Sequence, residues 1–341
     1  MFVLRPAAEF DADQIFEVAR HLDTVNLPAD TAHLHNIIRH SIASFGQSLP
    51  PLEREYLFVL EDTETKKVVG TSVIHAQHGT KRAPHVFFHV RKDERYSESL
   101  DQYFVHQCLL IGYNYNGPTE IGGLILLPQY RGNALALGKQ LSYTRFLFIA
   151  MTRANFRDQV LSELLPPLED NGTSILWEHL GRRFTGLSYQ EADLLSKTNK
   201  EFIRSLFPHV LIYTALLPDQ VQAVIGKVGP STRGVEKMLR RIGFQYAQQI
   251  DPFDGGPHFV ANTDNISLVN NARMGAVDIV EQTDESYADA LVAMQPDDQT
   301  HFRAIRTAIR WNEDTSTISL SKLDSEYLHA KSGKIAWAVA L

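Results

Sequence analysis

The stretch TEIGGLILLPQYRGNALALGKQLSYTRFLFIAMTRANF, residues 119–156, decides the fold, because three local signals follow one another in it without a gap. An apolar run over residues 121–127 predicts a strand, which ends at Pro128. A polar turn that contains glycine follows over residues 129–133. Residues 134–156 then place apolar side chains at helical spacing without a proline, which predicts one long helix.

The order of these signals has a chemical meaning. A strand that enters a helix through a glycine turn leaves the first backbone N–H groups of the helix without helical partners and directed at one spot. Such a spot binds anions, phosphate above all. A short apolar run over residues 159–165 follows the helix, and the order strand, turn, helix, strand fits a crossover unit in an α/β sheet.

Composition and charge limit the class of protein. Apolar residues make up 44% of the 341 residues and charged residues 21%, as in an average globular protein. The net charge of −7 disfavours binding to nucleic acid or to an anionic membrane, so we expect small-molecule partners. The N-terminus lacks the apolar region of a signal peptide. The single cysteine, Cys108, excludes an intrachain disulfide framework, and we expect a cytoplasmic protein.

The rest of the chain shows short strand and helix patterns. Strands are predicted at residues 2–5, 56–60, 68–75 and 244–250, and helices after Asp11 and at residues 29–45, 189–196, 200–207 and 232–241. The polar connection between the strands at 56–60 and 68–75 has the length of a hairpin loop. After residue 262 the pattern changes to short alternating runs, which are typical of a small β-rich domain.

Residues 76–117 show no clean period, because they mix aromatic, charged and histidine side chains. Four histidines in or beside this segment raise the question of a metal site: His75, His78, His85 and His89. Their spacings do not place two ligands on one helix face. Scattered histidines are more often surface groups or hydrogen-bonded core groups. We therefore expect no metal.

Seven segments carry motifs that are specific in combination. They are LRPA (4–7), FVLEDTETKKVVG (58–70), SYTRFLFIA (142–150), SILWEHLGRRFTGLSYQEADLLS (174–196), FIRSLFP (202–208), IYTALLPDQVQAVIGKV (212–228) and DPFDGGPHFVAN (251–262). With the turn RGNALALG (131–138) and the helix end MLRRIGF (238–244), they resemble the arginine N-succinyltransferase family of the GNAT acyltransferase superfamily. The resemblance covers nearly the whole chain, and residues 76–117 match poorly.

The resemblance implies a fold, an activity and a form of assembly. The fold would be α/β (α+β), a GNAT-like mixed sheet with flanking helices. Residues 1–165 would form the acyl-CoA-binding core, residues 166–261 a helical insertion with the closing helix and strands of the core, and residues 262–341 a small β-rich C-terminal domain. The reaction would transfer a succinyl group from succinyl-CoA to the α-amine of L-arginine in arginine catabolism. The protein would be a homo-oligomer or a heteromer with a related subunit.

The resemblance also predicts how the acyl donor is bound. Leu124 matches the strand leucine that contacts CoA in the family, and Ile125 and Leu126 continue that edge. Backbone N–H groups of this strand would polarise the thioester carbonyl. The pyrophosphate would lie on the turn and helix start, formed by Arg131, Gly132, Asn133, Ala134 and Leu135. Without the family context, a plain strand-to-helix turn is the alternative.

Three charged residues are predicted to serve the substrates. Arg145 matches a family arginine and would hold a carboxylate or phosphate, with a structural ion pair as the alternative. Asp254 would pair with the arginine guanidinium, unless the FDGGP segment only forms a tight turn. Glu163 matches an acidic position where this fold often places a general base, and the alternative is an exposed strand carboxylate.

One departure from the family pattern concerns proton transfer. The family places a proposed proton-donor histidine at the end of an IGxVH pattern, whereas this chain reads IGKVG and has Gly229 there. Glycine transfers no proton, so His258 and Tyr246 are further candidates for the acid. Two alternatives therefore stay open: a non-catalytic or partner-dependent subunit, and an acyltransferase that acts on another amine.

Overall fold

The computed structural model describes residues 1–21, 27, 30–132, 134–196, 200–294 and 301–341. The strands are β1 (Phe2–Pro6), β2 (Glu55–Asp62), β3 (Lys67–His75), β4 (His85–Ser97), β5 (Gln102–Asn114), β6 (Thr119–Leu126), β7 (Gln159–Glu163), β8 (Ile212–Tyr213), β9 (Gln245–Ile250), β10 (Pro257–Asn262), β11 (Arg273–Val280), β12 (Ala288–Met294), β13 (Ala304–Asn312), β14 (Thr317–Ser321) and β15 (Ile335–Ala340). The helices are α1 (Ala12–Ala19), α2 (Thr31–Phe45), α3 (Leu137–Met151), α4 (Arg182–Thr185), α5 (Tyr189–Ser196), α6 (Glu201–Leu206), α7 (Asp219–Gln222), α8 (Arg233–Arg241), α9 (Ser267–Asn270) and α10 (Lys322–Leu328).

The contacts divide the chain into two compact units. The first unit contains Met1–Gln77, Thr119–Asp158 and Asn262–Leu341, and the second contains His78–Pro118 and Gln159–Ala261. The predicted three-part division of the chain stays a prediction, and its boundary after residue 261 coincides with a boundary between these units. Among the residues that the structure describes, no helix is long and apolar enough to cross a membrane.

The first unit contains a sheet with the strand order β12-β15-β11-β14-β13-β1-β2-β3-β6. Its sheet is mixed, because β11 and β14 are parallel whereas β2 and β3 are antiparallel. The predicted hairpin at residues 56–75 is therefore confirmed. Helices α1 and α2 bury one apolar stripe each, and Ile15 and Ile38 belong to the same buried cluster as Leu57 and Val59 of β2. This burial is the main stabilising term for helices of this length.

The second unit has the strand order β7-β10-β9-β4-β5-β8. Its core surrounds Trp177, which stacks on Phe253 and lies in a π-helical turn before α4. Residues 76–117, which have no readable period, contain β4 and β5, two strands of thirteen residues each. Val86 and Phe88 of β4 are buried in this core. Strand alternation places Phe87 on the opposite face, and it is also buried, so polar and apolar residues do not alternate.

Helix α3 is shorter than the sequence predicts. It begins at Leu137 rather than at residue 134, because Ala136 has a left-handed backbone (φ 49°) that a right-handed helix does not continue through. It ends at Met151 rather than at residue 156, because Thr152 leaves the helical region (φ −130°) and a 3-10 turn follows. The predicted strand, turn and helix are confirmed, and the turn is longer than expected.

Candidate functional site

Strand β6 contains a bulge. Ile125 pairs with Thr71 of β3, and Gly122 pairs with Val73, so two residues of β6 lie opposite one residue of β3. Those two residues are Gly123 and Leu124. A bulge interrupts the ladder of hydrogen bonds and leaves backbone groups free to face another partner. The leucine predicted to contact CoA is thus part of a local break in the sheet.

Gly123 is the residue that makes this bulge possible. Its φ is +54°, a left-handed value that glycine adopts without strain. A Cβ at this position would lie 2.6 Å from Cγ2 of Val73. The hydroxyl of Thr71 donates a hydrogen bond of 3.1 Å to the carbonyl oxygen of Gly123. The glycine at position 123 and the hydrogen bond from Thr71 therefore stabilise the bulge at this place in the strand.

Replacement of Gly123 tests the bulge. We expect Gly123→Ala to lower the free energy of unfolding by about 1–3 kcal/mol, since it adds left-handed strain and a contact with Val73. Gly138→Ala in the first turn of α3 is the matched control, because the nearest atom to its added Cβ is 4.0 Å away. Urea unfolding measures both variants. Equal midpoints for Gly123→Ala and the wild type would contradict the strain argument.

The predicted pyrophosphate segment is an exposed turn before α3, and it does not form the helix start itself. Gly132 has φ +69° with open space around it. Arg131 Nε donates to the carbonyl oxygen of Leu126 at 2.8 Å. Ala134 and Leu135 are exposed, and Asn133 lies outside the described residues. The turn presents backbone to solvent ahead of a helix N-terminus, an arrangement suited to an anion.

Arg145 is buried in α3 and pairs with no carboxylate among the described residues. Its guanidinium donates to the carbonyl oxygens of Ser142 and Gly122 and to the hydroxyl of Ser142, at 2.9 to 3.3 Å. Burial lowers the pKa of Arg145 to about 9. The contact with Gly122 ties the helix to the strand beside the bulge. The alternative of a structural ion pair is not seen there, and the predicted role in anion binding stays a prediction.

Glu163, at the end of β7, lies in a cluster of imidazoles in the second unit. His85 Nε2 of β4 is 3.1 Å and His258 Nε2 of β10 is 3.4 Å from the same Oε1 atom of Glu163. The side chain of His258 is 0% exposed and that of His85 3%, whereas Glu163 is 26% exposed. His78 adds a third ring, whose centroid is 4.6 Å from that of His85. Glu163 is thus the most exposed of the three residues His85, Glu163 and His258, which we call the His–Glu–His cluster.

The ionisation of the cluster follows from this geometry. Burial alone would raise the pKa of Glu163, but the charge of His258 and the nearby ring of His85 hold it well below its usual value. Burial lowers the pKa of His85, although Glu163 opposes this shift. A proton taken up by the cluster therefore resides on an imidazole rather than on the carboxylate. At neutral pH Glu163 is an anion.

Two aspartates of the segment DPFDGGP lie close to this cluster. Burial, and next the charge of Glu163, raises the pKa of Asp251 to about 7. Burial, and next the charge of Asp251, raises the pKa of Asp254 well above its usual value. Asp254 Oδ1 accepts a hydrogen bond from the backbone N–H of Gly256 at 2.7 Å. Asp254 can therefore close this turn and also bind a cation. A bound cation would stabilise the charged forms of both carboxylates.

Tyr246 is separated from Glu163 by the sheet. It packs against the core that contains Val86 and Phe88 of β4. His85 precedes Val86 in the strand and therefore points to the other face, toward Glu163. Burial raises the pKa of Tyr246 to about 12, so the phenol keeps its proton. The structure brings Glu163 and His258 together, and it does not bring Tyr246 to them.

Gly229 lies against main chain. A Cβ at this position would be 2.4 Å from the carbonyl oxygen of Pro166 and 3.0 Å from that of Leu165. Its own N–H donates to the Leu165 carbonyl oxygen at 2.8 Å. Rigid backbone atoms cannot move aside as a flexible side chain can. The backbone here fits glycine and leaves no room for a larger residue.

Sequence reasoning missed His85, His78 and Asp251 as members of the site. The histidines lie in or beside a strand that had no readable period, and Asp251 belongs to a motif from which only Asp254 was selected. Pairing of β4 with β9 and of β9 with β10 brings these distant residues together. Imidazole and carboxylate groups at such separations are also donor types that bind zinc. The expectation of a metal-free site stays a prediction, which equal activity with and without a chelator would support.

The chain is similar to known proteins over most of its length. The family model described as arginine N-succinyltransferase beta subunit matches residues 2–268. Arginine N-succinyltransferase of Yersinia pestis (strain Pestoides F) is 36% identical over 312 residues, covering 89% of this chain and 88% of the relative. That of Citrobacter koseri is 33% identical over 339 residues, covering 97% and 95%. Arginine/ornithine succinyltransferase subunit AI of Pseudomonas aeruginosa superposes with a TM-score of 0.85 at 29% identity, covering 100% of this chain and 98% of that one.

The fold and these matches define an acyl-CoA-dependent N-acyltransferase, an enzyme that uses a CoA thioester as substrate. The expected GNAT-like mixed α/β class is confirmed by the superposition over the whole chain. Family model and relatives agree over most of the sequence, which confirms the resemblance read from the motifs. The chain belongs to the arginine N-succinyltransferase family.

Proposed function

We propose that this chain transfers a succinyl group from succinyl-CoA to the α-amine of L-arginine, as a step of arginine catabolism in the cytoplasm. The observation that carries the proposal is the bulge at Gly123 and Leu124 of β6, in a chain whose relatives are named for this transfer. Backbone N–H groups released by a bulge can donate to a thioester carbonyl oxygen, where negative charge develops in the transition state.

The first unit would bind the acyl donor. The pantetheine would contact the backbone of Leu124, Ile125 and Leu126. The side chain of Ile125 is buried in the core and would not take part in this contact. The exposed turn before α3 would hold the pyrophosphate through backbone N–H groups. Arg145 would serve an anionic group of the donor or fix the strand through Gly122. Succinyl-CoA is then preferred over acetyl-CoA, because its distal carboxylate adds one charge for a cation to bind.

The groups proposed to act on the amine are carboxylates. Glu163 is the accessible carboxylate of the His–Glu–His cluster and would act as the general base. Asp251 and Asp254 would bind the guanidinium, because two half-buried carboxylates with raised pKa values are stabilised by a nearby cation. Of the acids predicted from the sequence, His258 would act through Glu163. Tyr246 is left without a role in this proposal.

A thiol-release assay with purified protein tests this function. We expect release of CoA from succinyl-CoA that requires arginine, with ornithine as a weaker acceptor because it lacks the planar guanidinium that forms bidentate pairs with carboxylates. Acetyl-CoA in place of succinyl-CoA is the matched control for the donor. Release with an unrelated amine and none with arginine would show acyl transfer to a different acceptor.

A second candidate function is that of a partner-dependent subunit. Two observations favour it: Gly229 stands where the family has its proposed proton donor, and two of the matches are described as a beta subunit and as subunit AI. The oligomer would then be a heteromer with a related chain rather than a homo-oligomer. Light scattering of the purified chain distinguishes the two assemblies. Activity that appears only on mixing with a second subunit would favour this candidate.

A further inference from the structure

Two buried imidazoles converge on one oxygen atom of the only accessible member of the His–Glu–His cluster. His85 and His258 approach Oε1 of Glu163 from β4 and β10, at 3.1 Å and 3.4 Å. Both rings are buried, whereas the carboxylate is 26% exposed, so a substrate amine can contact the carboxylate directly. Whatever these imidazoles contribute to a reaction, they contribute through Glu163.

Position 229, in the same unit, has no room for a side chain that could transfer a proton. Main-chain oxygen atoms of Pro166 and Leu165 occupy the space that a Cβ there would need. The chain therefore lacks a titratable group at the position where the sequence comparison expected one. A proton for the leaving thiolate must therefore come from another group or from solvent.

We propose that His85 and His258 are positioning residues that hold Glu163 in place and accept the proton it removes from the substrate amine. This inference rests on the proposed acyl transfer. The amine nitrogen forms a bond to the thioester carbonyl carbon and gives one proton to Glu163, which passes it to Nε2 of His258 or His85. The C–S bond breaks, and the CoA thiolate takes up one proton from water. The imidazolium then gives its proton to water, so that no net proton is gained or lost and the cluster returns to its starting state.

The imidazoles store a proton that the carboxylate alone would hold only weakly. A carboxylate alone has a pKa of about 4.3 and is a weak base at neutral pH, whereas imidazole lies near 6.5. Since the first proton of the cluster resides on a ring, the pair accepts protons in the imidazole range. The other charged groups that interact with the cluster are His78, Asp251, Asp254 and Lys200. Of these, Asp251 favours proton uptake, whereas Lys200 and a protonated His78 oppose it.

Nuclear magnetic resonance of protein labelled with ¹⁵N-histidine tests the shared proton without any assay of activity. We expect Glu163→Gln to move the titration of His85 and His258 by about one pH unit or more, because it removes the charge that both rings face. His89 of β4, which contacts Phe87 rather than Glu163, serves as the internal control and should not move. Unchanged titration of both cluster rings would overturn the proposal.

Kinetics test the transfer step. Activity requires the unprotonated cluster, so it is present above the apparent pKa and lost as pH falls through it. We expect the acid limb of the His85→Asn/His258→Asn double variant to lie at lower pH than that of the wild type, because the groups that take up the proton are removed. The plateau of kcat should fall about 10–100-fold with the KM for arginine little changed. His89→Asn is the matched control. If the double variant has the same acid limb and the same maximal kcat as the wild type, the proposal is overturned. If the wild type is inactive, the proposed function is overturned, and the histidine titrations then decide whether Glu163 and the two imidazoles share a proton.

Discussion

Glu163→Gln is expected to lower kcat for succinyl transfer by about 10²–10⁴-fold, the usual contribution of a general base. The amide keeps the size of the side chain but cannot accept a proton. The KM for succinyl-CoA should change little, because the predicted donor site lies on β6 and the following turn. Steady-state kinetics at saturating arginine, across pH 6–9, measures the effect.

The matched control for this variant is Glu169→Gln. Glu169 is an exposed residue a few positions further along the chain, and the same change of charge there should leave kcat unaltered. Thermal unfolding of both variants separates a chemical effect from a loss of folded protein. A kcat for Glu163→Gln within about twofold of the wild type would remove Glu163 from the mechanism.

Gly229→His is expected to destabilise the protein and to leave its activity no higher than that of the wild type. The added Cβ would lie 2.4 Å from the Pro166 carbonyl oxygen, so the backbone must shift. Overpacking of this kind costs about 1–3 kcal/mol in the free energy of unfolding. Urea unfolding and the thiol-release assay, performed on the same preparation, measure both consequences.

Two alanine variants isolate the steric cause. Gly229→Ala adds the same Cβ without a ring and should show most of the destabilisation. Gly234→Ala in α8 adds a Cβ that meets no atom within 4 Å, and alanine favours a helix over glycine by about 0.5–1 kcal/mol, so it should not destabilise. A Gly229→His protein with unchanged stability and increased turnover would show that the family histidine can be restored, and that the glycine is a lost catalytic residue.

The parts of the fold that sequence reasoning predicted depend on local signals. The strand, turn and helix of residues 119–156 were readable because a proline, a glycine turn and a helical period lie next to one another. The hairpin of β2 and β3 was readable because its strands are neighbours in sequence. The predicted start of α3 was three residues too early, because an alanine at position 136 gives no indication of a left-handed backbone. Strands β4 and β5 were missed, because both faces of β4 are buried near its start and no alternation appears.

Some residues of the candidate site were likewise predictable from sequence, and others were found only in the structure. Family motifs led to Leu124, Glu163 and Asp254 residue by residue, because each lies in a recognisable segment. The imidazole of His85 joins Glu163 only through the pairing of strands that are more than seventy residues apart in the chain. The space around Gly229 likewise depends on a main-chain contact with Pro166. Such long-range packing leaves no local pattern in a single sequence.

Succinyl transfer by the purified chain alone shows whether the His–Glu–His cluster makes this protein a catalyst without a second subunit. Incubation with succinyl-CoA and arginine, followed by mass spectrometry, should show succinylarginine modified on the α-nitrogen in amounts equal to the CoA released. Glu163→Gln should form far less product under the same conditions. Absence of succinylarginine from folded wild-type protein, with product appearing only after a second subunit is added, would contradict the claim that the His–Glu–His cluster makes this chain catalytic in spite of Gly229.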